Sequence, residues 1–328
     1  YENDGSESFT EHAISTSANG AHCVYANDVD NDGDIDVLSA SRFDNKIAWY
    51  ENNGSESFTE HAISTSANSA RSVFAADVDG DGDLDVLSAS QSDDKIAWYE
   101  NDGSHGFETS IFASHEISTS ADGAHSVHAA DVDGDGDMDV LSASEGDGKI
   151  ILWENDGSES FTEHTITTLD GAMAVHATDV DGDGDLDIIS ASMYAGPDWD
   201  KTIAWYENDG SESFTEHVIS ASYGVKGAYV AHSSDLDTDG DMDLLFVSYY
   251  YNDIYWFEND GSGSFTEHTI STSASNGCES VYATDVDGDG DMDVLSTSYW
   301  TDQIAWYEND GSEGFTEHAI STAADGAS

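Results

Sequence analysis

The chain has 328 residues, 38% of them hydrophobic, and carries 69 acidic against 7 basic side chains, a formal charge of −62. That length allows a large core, but so anionic a surface repels phosphate backbones and anionic headgroups, which excludes nucleic acid and anionic membranes as partners. No apolar run is long enough for insertion into a bilayer. The chain begins at Tyr1 without Met and is expected to be a mature or excised form from which targeting segments are gone.

In chain order, Tyr1-Glu2-Asn3-Asp4-Gly5 reads as the tail of a strand, and Phe9 to Ile14 as a complete strand after it. Cys23 follows, and then a nine-residue segment in which aspartate alternates: Asp28, Asp30, Asp32, Asp34 and Asp36, with Gly33 at its sixth position. The same loop returns as Asp77, Asp79, Asp81, Asp83, Asp85 and as Asp131, Asp133, Asp135, Asp137, Asp139. It returns again as Asp179, Asp181, Asp183, Asp185, Asp187, as Asp235, Asp237, Asp239, Asp241, Asp243, and as Asp285, Asp287, Asp289, Asp291, Asp293. A period of about 50 residues made of short strands predicts propeller blades.

Each repeat reads as four strands. Around the second loop they are Ser72 to Ala76, Asp85 to Ser90 and Lys95 to Glu100, and the preceding copy shows the fourth as Ser57 to Ile63. The runs are rich in β-branched and aromatic residues and bounded by Gly, Asp, Asn or Ser. Asn101-Asp102-Gly103 is a hairpin signal between the third and fourth strands. The single proline, Pro197, falls in a loop, and no helical periodicity is sustained. The expected fold class is therefore all-β, a β-propeller of four-stranded blades in one domain, 1–328. It has six full blades plus one extra outer strand, with seven blades as the alternative. Trp49, Trp98, Trp153, Trp205, Trp256 and Trp306 recur at one third-strand position, where a large aromatic fills the wedge between blades.

Five carboxylates within nine residues repel one another, and a bound cation offsets that repulsion. Oxygen ligands at alternate positions select a hard ion, and the crowding suits Ca²⁺ with six to eight ligands. By analogy with the EF-hand loop, side chains at positions 1, 3, 5 and 9 face the ion and position 7 supplies a backbone carbonyl. Gly82 and its equivalents permit the sharp turn. About six structural Ca²⁺ ions are expected.

The segment Asp77-Val78-Asp79-Gly80-Asp81-Gly82-Asp83-Leu84-Asp85-Val86-Leu87 resembles the FG-GAP/VCBS repeat of calcium-binding β-propellers. Such repeats occur in integrin α-subunit heads and in fungal and bacterial lectins. The resemblance implies a propeller with calcium in the turn between the first two strands of each blade. It leaves function open, because such propellers serve adhesion, sugar binding and a few lyase activities. The integrin-type Phe-Gly…Gly-Ala-Pro signature is not seen.

The spare N-terminal strand has three possible placements: outside a six-bladed ring, in an incomplete seventh blade, or at an edge of a neighbouring molecule. In a six-bladed ring Cys23 and Cys278 lie on neighbouring first strands, and a Cys23–Cys278 disulfide would lock closure. The alternative is two buried free thiols.

The turns between second and third strands vary from copy to copy, whereas the acid loops hardly change, so one end of the blades reads as scaffold and the other as specialised. The variable turns supply Arg42, Phe43, Tyr194, Trp199, Tyr250, Tyr299 and Trp300 as candidate ligand-binding residues, because aromatics beside Asp and Asn suit sugar rings and protein contacts. His22, Arg71 and His125, six residues before their loops, are placed on the innermost strand as channel-lining groups. His12, His61, His115, His164, His217, His268 and His318 recur on the outer strand, where regularity predicts packing or hydrogen bonding. The expected protein is extracellular or at the cell surface and calcium-stabilised. It acts as an adhesion or glycan-binding module whose partner is carbohydrate or a cell-surface protein. The alternative is a structural subunit that self-associates through the spare strand, with a polysaccharide lyase third, and no catalytic residue is assigned.

Overall fold

The structure is a computed structural model. It describes residues 1–5, 8–55, 57–103, 112–193, 203–211, 213–220, 227–249, 251–272, 277–312 and 314–324. Among these residues there are strands and turns but no helix. Six antiparallel four-stranded sheets cover 21–64, 70–118, 124–168, 172–220, 228–271 and 278–321, each with its strands in sequence order. These are blades one to six of a β-propeller. In blade two the strands are Ala70–Ala76, Asp85–Ser90, Lys95–Asn101 and Phe112–Ser118.

The order follows from alternation on each strand. In blade two, Leu87 pairs with Trp98, which pairs in turn with His115. Val73, Ala75, Val86, Ala97 and Tyr99 are buried with Val29, Leu38, Ala40, Ile47 and Trp49 of blade one in a single apolar cluster. The opposite face of blade two, with Leu87, Ala89, Ile96 and Trp98, is buried with Val127, Ala129 and Val140 of blade three. The expected third-strand tryptophan position fails in blade three: Trp153 pairs with Val140 as Tyr99 does with Val86, so it lies on the leading face, and Leu152 stands where blade two has Trp98. The tryptophan meets the outer-strand phenylalanine of the following blade edge-on: Trp49 with Phe112 at 6.3 Å and Trp256 with Phe315 at 6.4 Å between ring centroids.

The chain forms two compact units, Ala13–Ala177, and Tyr1–His12 together with Thr178–Ser328. The second contains a finding that modifies the expected spare strand. The strand tail read at Tyr1–Gly5 is β1 (Glu2–Asn3), which pairs with the expected extra strand β2 (Phe9–Thr10), and β2 stops short of the predicted Ile14.

The expected disulfide is also corrected. Cys23 and Cys278 are both free thiols. Each is taken up in its own unit: the Cys23 thiol lies 3.7 Å from the Val73 carbonyl, and the buried Cys278 thiol lies 4.0 Å from the Ser280 carbonyl. Burial raises both thiols above their ordinary value, Cys278 to about 12, which keeps them protonated and unreactive.

Candidate functional site

Each acid loop folds around its own carboxylates. In blade two, Asp77 Oδ2 accepts the Gly82 N–H at 3.0 Å, Asp79 Oδ1 accepts that of Asp81 at 3.1 Å, and Asp81 Oδ1 accepts that of Asp83 at 2.9 Å. These are side-chain-to-backbone turns stacked in succession. Gly82 has φ +98°, a left-handed conformation open to glycine, and its counterparts in all six loops share it.

The ninth-position aspartate anchors the loop to the blade. Asp85 is fully buried. Its Oδ2 accepts the Val78 N–H at 3.0 Å, and its Oδ1 accepts the Asn101 N–H at 2.7 Å. Burial pushes the Asp85 carboxyl up to about 7, and those of Asp139, Asp187 and Asp243 up to about 6. Burial and the neighbouring carboxylates also raise Asp79, Asp133 and Asp237.

Carboxylate oxygens converge as the alternation predicts. Oxygens of Asp77, Asp79 and Asp85 lie within 4.8 Å of one another, as do those of Asp131, Asp133, Asp139 and of Asp179, Asp181, Asp187. In two other loops the converging groups are Asp28, Asp30, Asp32 and Asp235, Asp237, Asp239. Positions 1, 3, 5 and 9 are therefore the ones brought together. The seventh-position carboxylates of Asp34, Asp83, Asp137, Asp185, Asp241 and Asp291 instead lie against the glycine of the outer hairpin turn, Gly54 to Gly311. A metal ion fits these clusters on a further observation. The Oδ1 atoms of Asp77, Asp131 and Asp235 are buried and meet no hydrogen-bond donor, although each sits where two other carboxylates converge. A buried acceptor in that state is costly unless a cation faces it. Oxygen-only donors of this kind suit a hard divalent ion.

Sequence reasoning missed one residue type at this end. Asn101, read only as part of a turn, donates its Nδ2–H to Leu84 O and to Val29 O, the latter in the acid loop of the preceding blade, both at 3.2 Å. Asn155 does the same to Met138 and Val78, Asn259 to Met242 and Val180, and Asn309 to Met292 and Leu236. The clue was present: Glu-Asn closes every third strand, while the residue after it changes between Asp and Asn.

At the variable end, the turns before the first strand and between the second and third strands meet, as Arg42 N–H donates to Gly20 O at 2.7 Å. Phe43 lies on Gly20, at φ +66°, in a place that a Cβ would fill, yet remains 60% exposed, and Arg42 stands 5.4 Å over its ring. In the other unit Trp300 lies on Gly277, at φ +83°, in the same way and is 66% exposed, with Tyr299 edge-on at 4.9 Å. Tyr194, Trp199 and Tyr250 lie outside the described residues.

The inner-strand histidines and arginine are tied into a network. Arg71 donates to His22 Nε2 at 2.8 Å and to Gln91 Oε1, and Gln91 donates to Glu145 Oε2 at 2.7 Å. His22 Nδ1–H donates to Arg71 O at 2.9 Å, which fixes a neutral tautomer. Burial, then the Arg71 charge, holds His22 at about 4, and burial holds the buried His125 well below its ordinary range. The outer-strand histidines follow the predicted rule. Each accepts or donates through Nε2 to a third-strand glutamate at 2.7–2.9 Å, from His12 with Glu2 to His318 with Glu308. Most also stack on the blade's tryptophan, as His115 does on Trp98 at 4.4 Å.

Residues 28–88, 77–142, 131–190, 235–296 and 285–328 match the FG-GAP-like repeat. No curated protein matches the chain closely enough to count as a relative. Among solved structures the chain is similar to a lectin of Agrocybe aegerita that recognises non-reducing terminal N-acetylglucosamine. That lectin is 17% identical with a TM-score of 0.64, over 93% of this chain and 81% of that one. The chain is also similar to the fucose-specific lectin of Aleuria aurantia, at 15% identity and a TM-score of 0.52, over 88% and 91%. A third similar structure is virginiamycin B lyase of Staphylococcus aureus, at 14% identity and a TM-score of 0.62, over 92% and 85%. At such identities the likeness is one of fold, and it spans binding proteins and an enzyme alike.

Proposed function

The chain belongs to the FG-GAP-like repeat family, and from that premise we propose that it is an extracellular, calcium-stabilised module for glycan binding or adhesion rather than an enzyme. The observation that carries this reading is the contrast between its two blade ends. The acid-loop end repeats one construction, whereas the variable end displays Phe43 and Trp300 as largely exposed rings, each seated on a glycine. A ring fixed from below and open above is a platform for the apolar face of a pyranose. Asp44, next to Phe43, is held inside its turn, where its Oδ2 accepts the Asn19 N–H at 3.4 Å and pairs with Lys46 at 3.7 Å, so the exposed rings rather than the acids carry the reading. The likeness to two lectin propellers supports the choice of ligand.

Within this reading a calcium ion, when bound, supplies positive charge to the oxygens of Asp77, Asp79 and Asp85 and their equivalents. The protein's own residues do the remainder: the aspartates hold the loop turns, and the third-strand asparagine ties each loop to its blade. The inner-strand network argues against acid–base chemistry, because His22 is neutral and both of its ring nitrogens are engaged.

A glycan array in millimolar calcium tests the proposal, with Phe43→Ala and Trp300→Ala beside the parent chain. Binding to a defined subset of glycans, reduced about tenfold or more by either substitution at unchanged Tm, is expected; tenfold corresponds to about 1.4 kcal/mol. An array without hits, or hits indifferent to both substitutions, would overturn it.

A further inference from the structure

The β1–β2 pair is built and docked as the outer half of a blade. Asn3 Nδ2–H donates to Val286 O, in the acid loop of blade six, at 2.7 Å, the bond that Asn101, Asn155, Asn259 and Asn309 each make to the loop of the blade before them. Phe9 meets Trp306 edge-on at 6.4 Å, as Phe315 meets Trp256. His12 pairs with Glu2 at 2.9 Å, and Gly5 N–H donates to Asn3 Oδ1 at 3.0 Å, both as in complete blades. By these contacts β1 and β2 are the third and fourth strands of a blade that follows blade six.

Among the described residues β1 and β2 pair only with each other, and the blade-six surface beside them is more open than its counterparts. In blades one to five, the trailing-face residues equivalent to Leu295, Thr297 and Ile304 of blade six are completely buried, such as Leu87, Ala89 and Ile96. In blade six these three are only partly buried, while Trp306, under Phe9, is fully covered. Val286 is partly exposed where Val29, Val78, Val132, Val180 and Leu236 are buried. Tyr282 is 56% exposed, and its ring touches His232 of blade five at 4.7 Å. Asn3 is exposed where Asn101, Asn155, Asn208, Asn259 and Asn309 are buried.

We propose that the inner part of the blade-six trailing face, together with the free edge of β1, is a docking site for one more strand–acid loop–strand hairpin of this same repeat. The chemistry specifies that occupant. The half-buried Leu295, Thr297 and Ile304 call for an apolar leading face such as Val73, Ala75 and Val86 form in blade two. The Asn3 N–H lacks what every complete blade supplies at this position, a ninth-position aspartate whose Oδ1 accepts it at 2.7–2.8 Å. Addition of a strand to an unpaired edge is a general mode of recognition.

A labelled peptide with the sequence of residues 70–98 tests this by fluorescence anisotropy against the full chain in millimolar calcium. A scrambled peptide serves as the control. In a parallel arm, the same residues are fused ahead of Tyr1, so that Lys-Ile-Ala-Trp runs on into Tyr1-Glu2-Asn3. Saturable one-to-one binding is expected, weakened about tenfold by Tyr282→Glu in the full chain, a change at an exposed position that leaves the fold intact. The fusion is expected to slow amide exchange at Glu2 and Asn3 and to raise Tm. The proposal is overturned if the peptide does not bind and the fused segment leaves exchange and Tm unchanged. It is equally overturned if the chain alone forms dimers or filaments that protect Tyr282, because the face then belongs to a second copy.

Discussion

Single side chains in this molecule take their chemistry from their place on the blade. Histidine shows this most clearly. On the outer strand it faces a glutamate and solvent. On the inner strand His22, His128 and His232 are half-buried, and partial loss of hydration holds each at about 4, with the Arg71 charge adding to the effect at His22. Such groups are neutral when folded and take up a proton near pH 6.5 when unfolded. The unfolded state then binds more protons, so stability is complete above about pH 6.5 and is lost as the pH falls toward 4. His128 lies between Phe74 and His176, at 4.7 and 4.6 Å, and blade two carries phenylalanine at the equivalent position, so phenylalanine fits there. His128→Phe should therefore flatten the decline of the urea midpoint between pH 6.5 and 4 in calcium buffer. Parallel curves for the two proteins would show that the His128 ring is not the titrating group.

The element that organises a blade is the pair formed by an acid loop and the end of the third strand. Asn155 makes the case: its Nδ2 serves Met138 O and Val78 O, and its Oδ1 takes the Gly157 N–H. Replacing it with alanine strands buried carbonyls, which costs about 2–4 kcal/mol for groups of this kind. Asn3→Ala removes the equivalent bonds from an exposed pair and should cost under about 1 kcal/mol. Urea unfolding of both variants checks the contrast, and equal midpoints would remove the asparagine from its structural role. The strands themselves were legible because alternation and turn residues are local signals: Asp85 to Ser90 was read to the residue. The asparagine's purpose was hidden because its second partner lies a blade away in sequence, as Val78 does from Asn155. The Cys23–Cys278 pairing failed for a related reason. It was inferred from an assumed closure of the ring, whereas each thiol finds a carbonyl in its own neighbourhood. Phe43 and Trp300 are legible as turn aromatics from the sequence, but the glycines beneath them, Gly20 and Gly277, are brought there only by the fold.

Over the whole molecule one loop is repeated six times, so any energy assigned to a loop acts several times over. At its centre each cluster sets carboxylates together, with a buried ninth-position aspartate that holds the second strand to the third. Nothing in the fold separates these charges, and only seven basic residues are available to the entire chain. A cation bound at each cluster would therefore act on stability six times over, although no single site need exceed a core contact. Extracellular calcium sites have a Kd of about 10⁻⁴–10⁻³ M. At ten to a hundred times that concentration each site contributes about 1.4–2.7 kcal/mol. Six such terms are comparable with the entire net stability of a typical domain, about 5–15 kcal/mol. Excess EDTA should lower Tm steeply or unfold the chain, and calcium should restore it. Magnesium should restore less, because it demands a tighter octahedron and keeps its water. A melting curve that EDTA leaves unmoved would mean that the loops are stable on backbone hydrogen bonds alone. The raised carboxyls of Asp85, Asp139, Asp187 and Asp243 would then be held by protons rather than by metal, and that form would lose stability as pH rises through 6 to 7, a dependence that bound calcium abolishes.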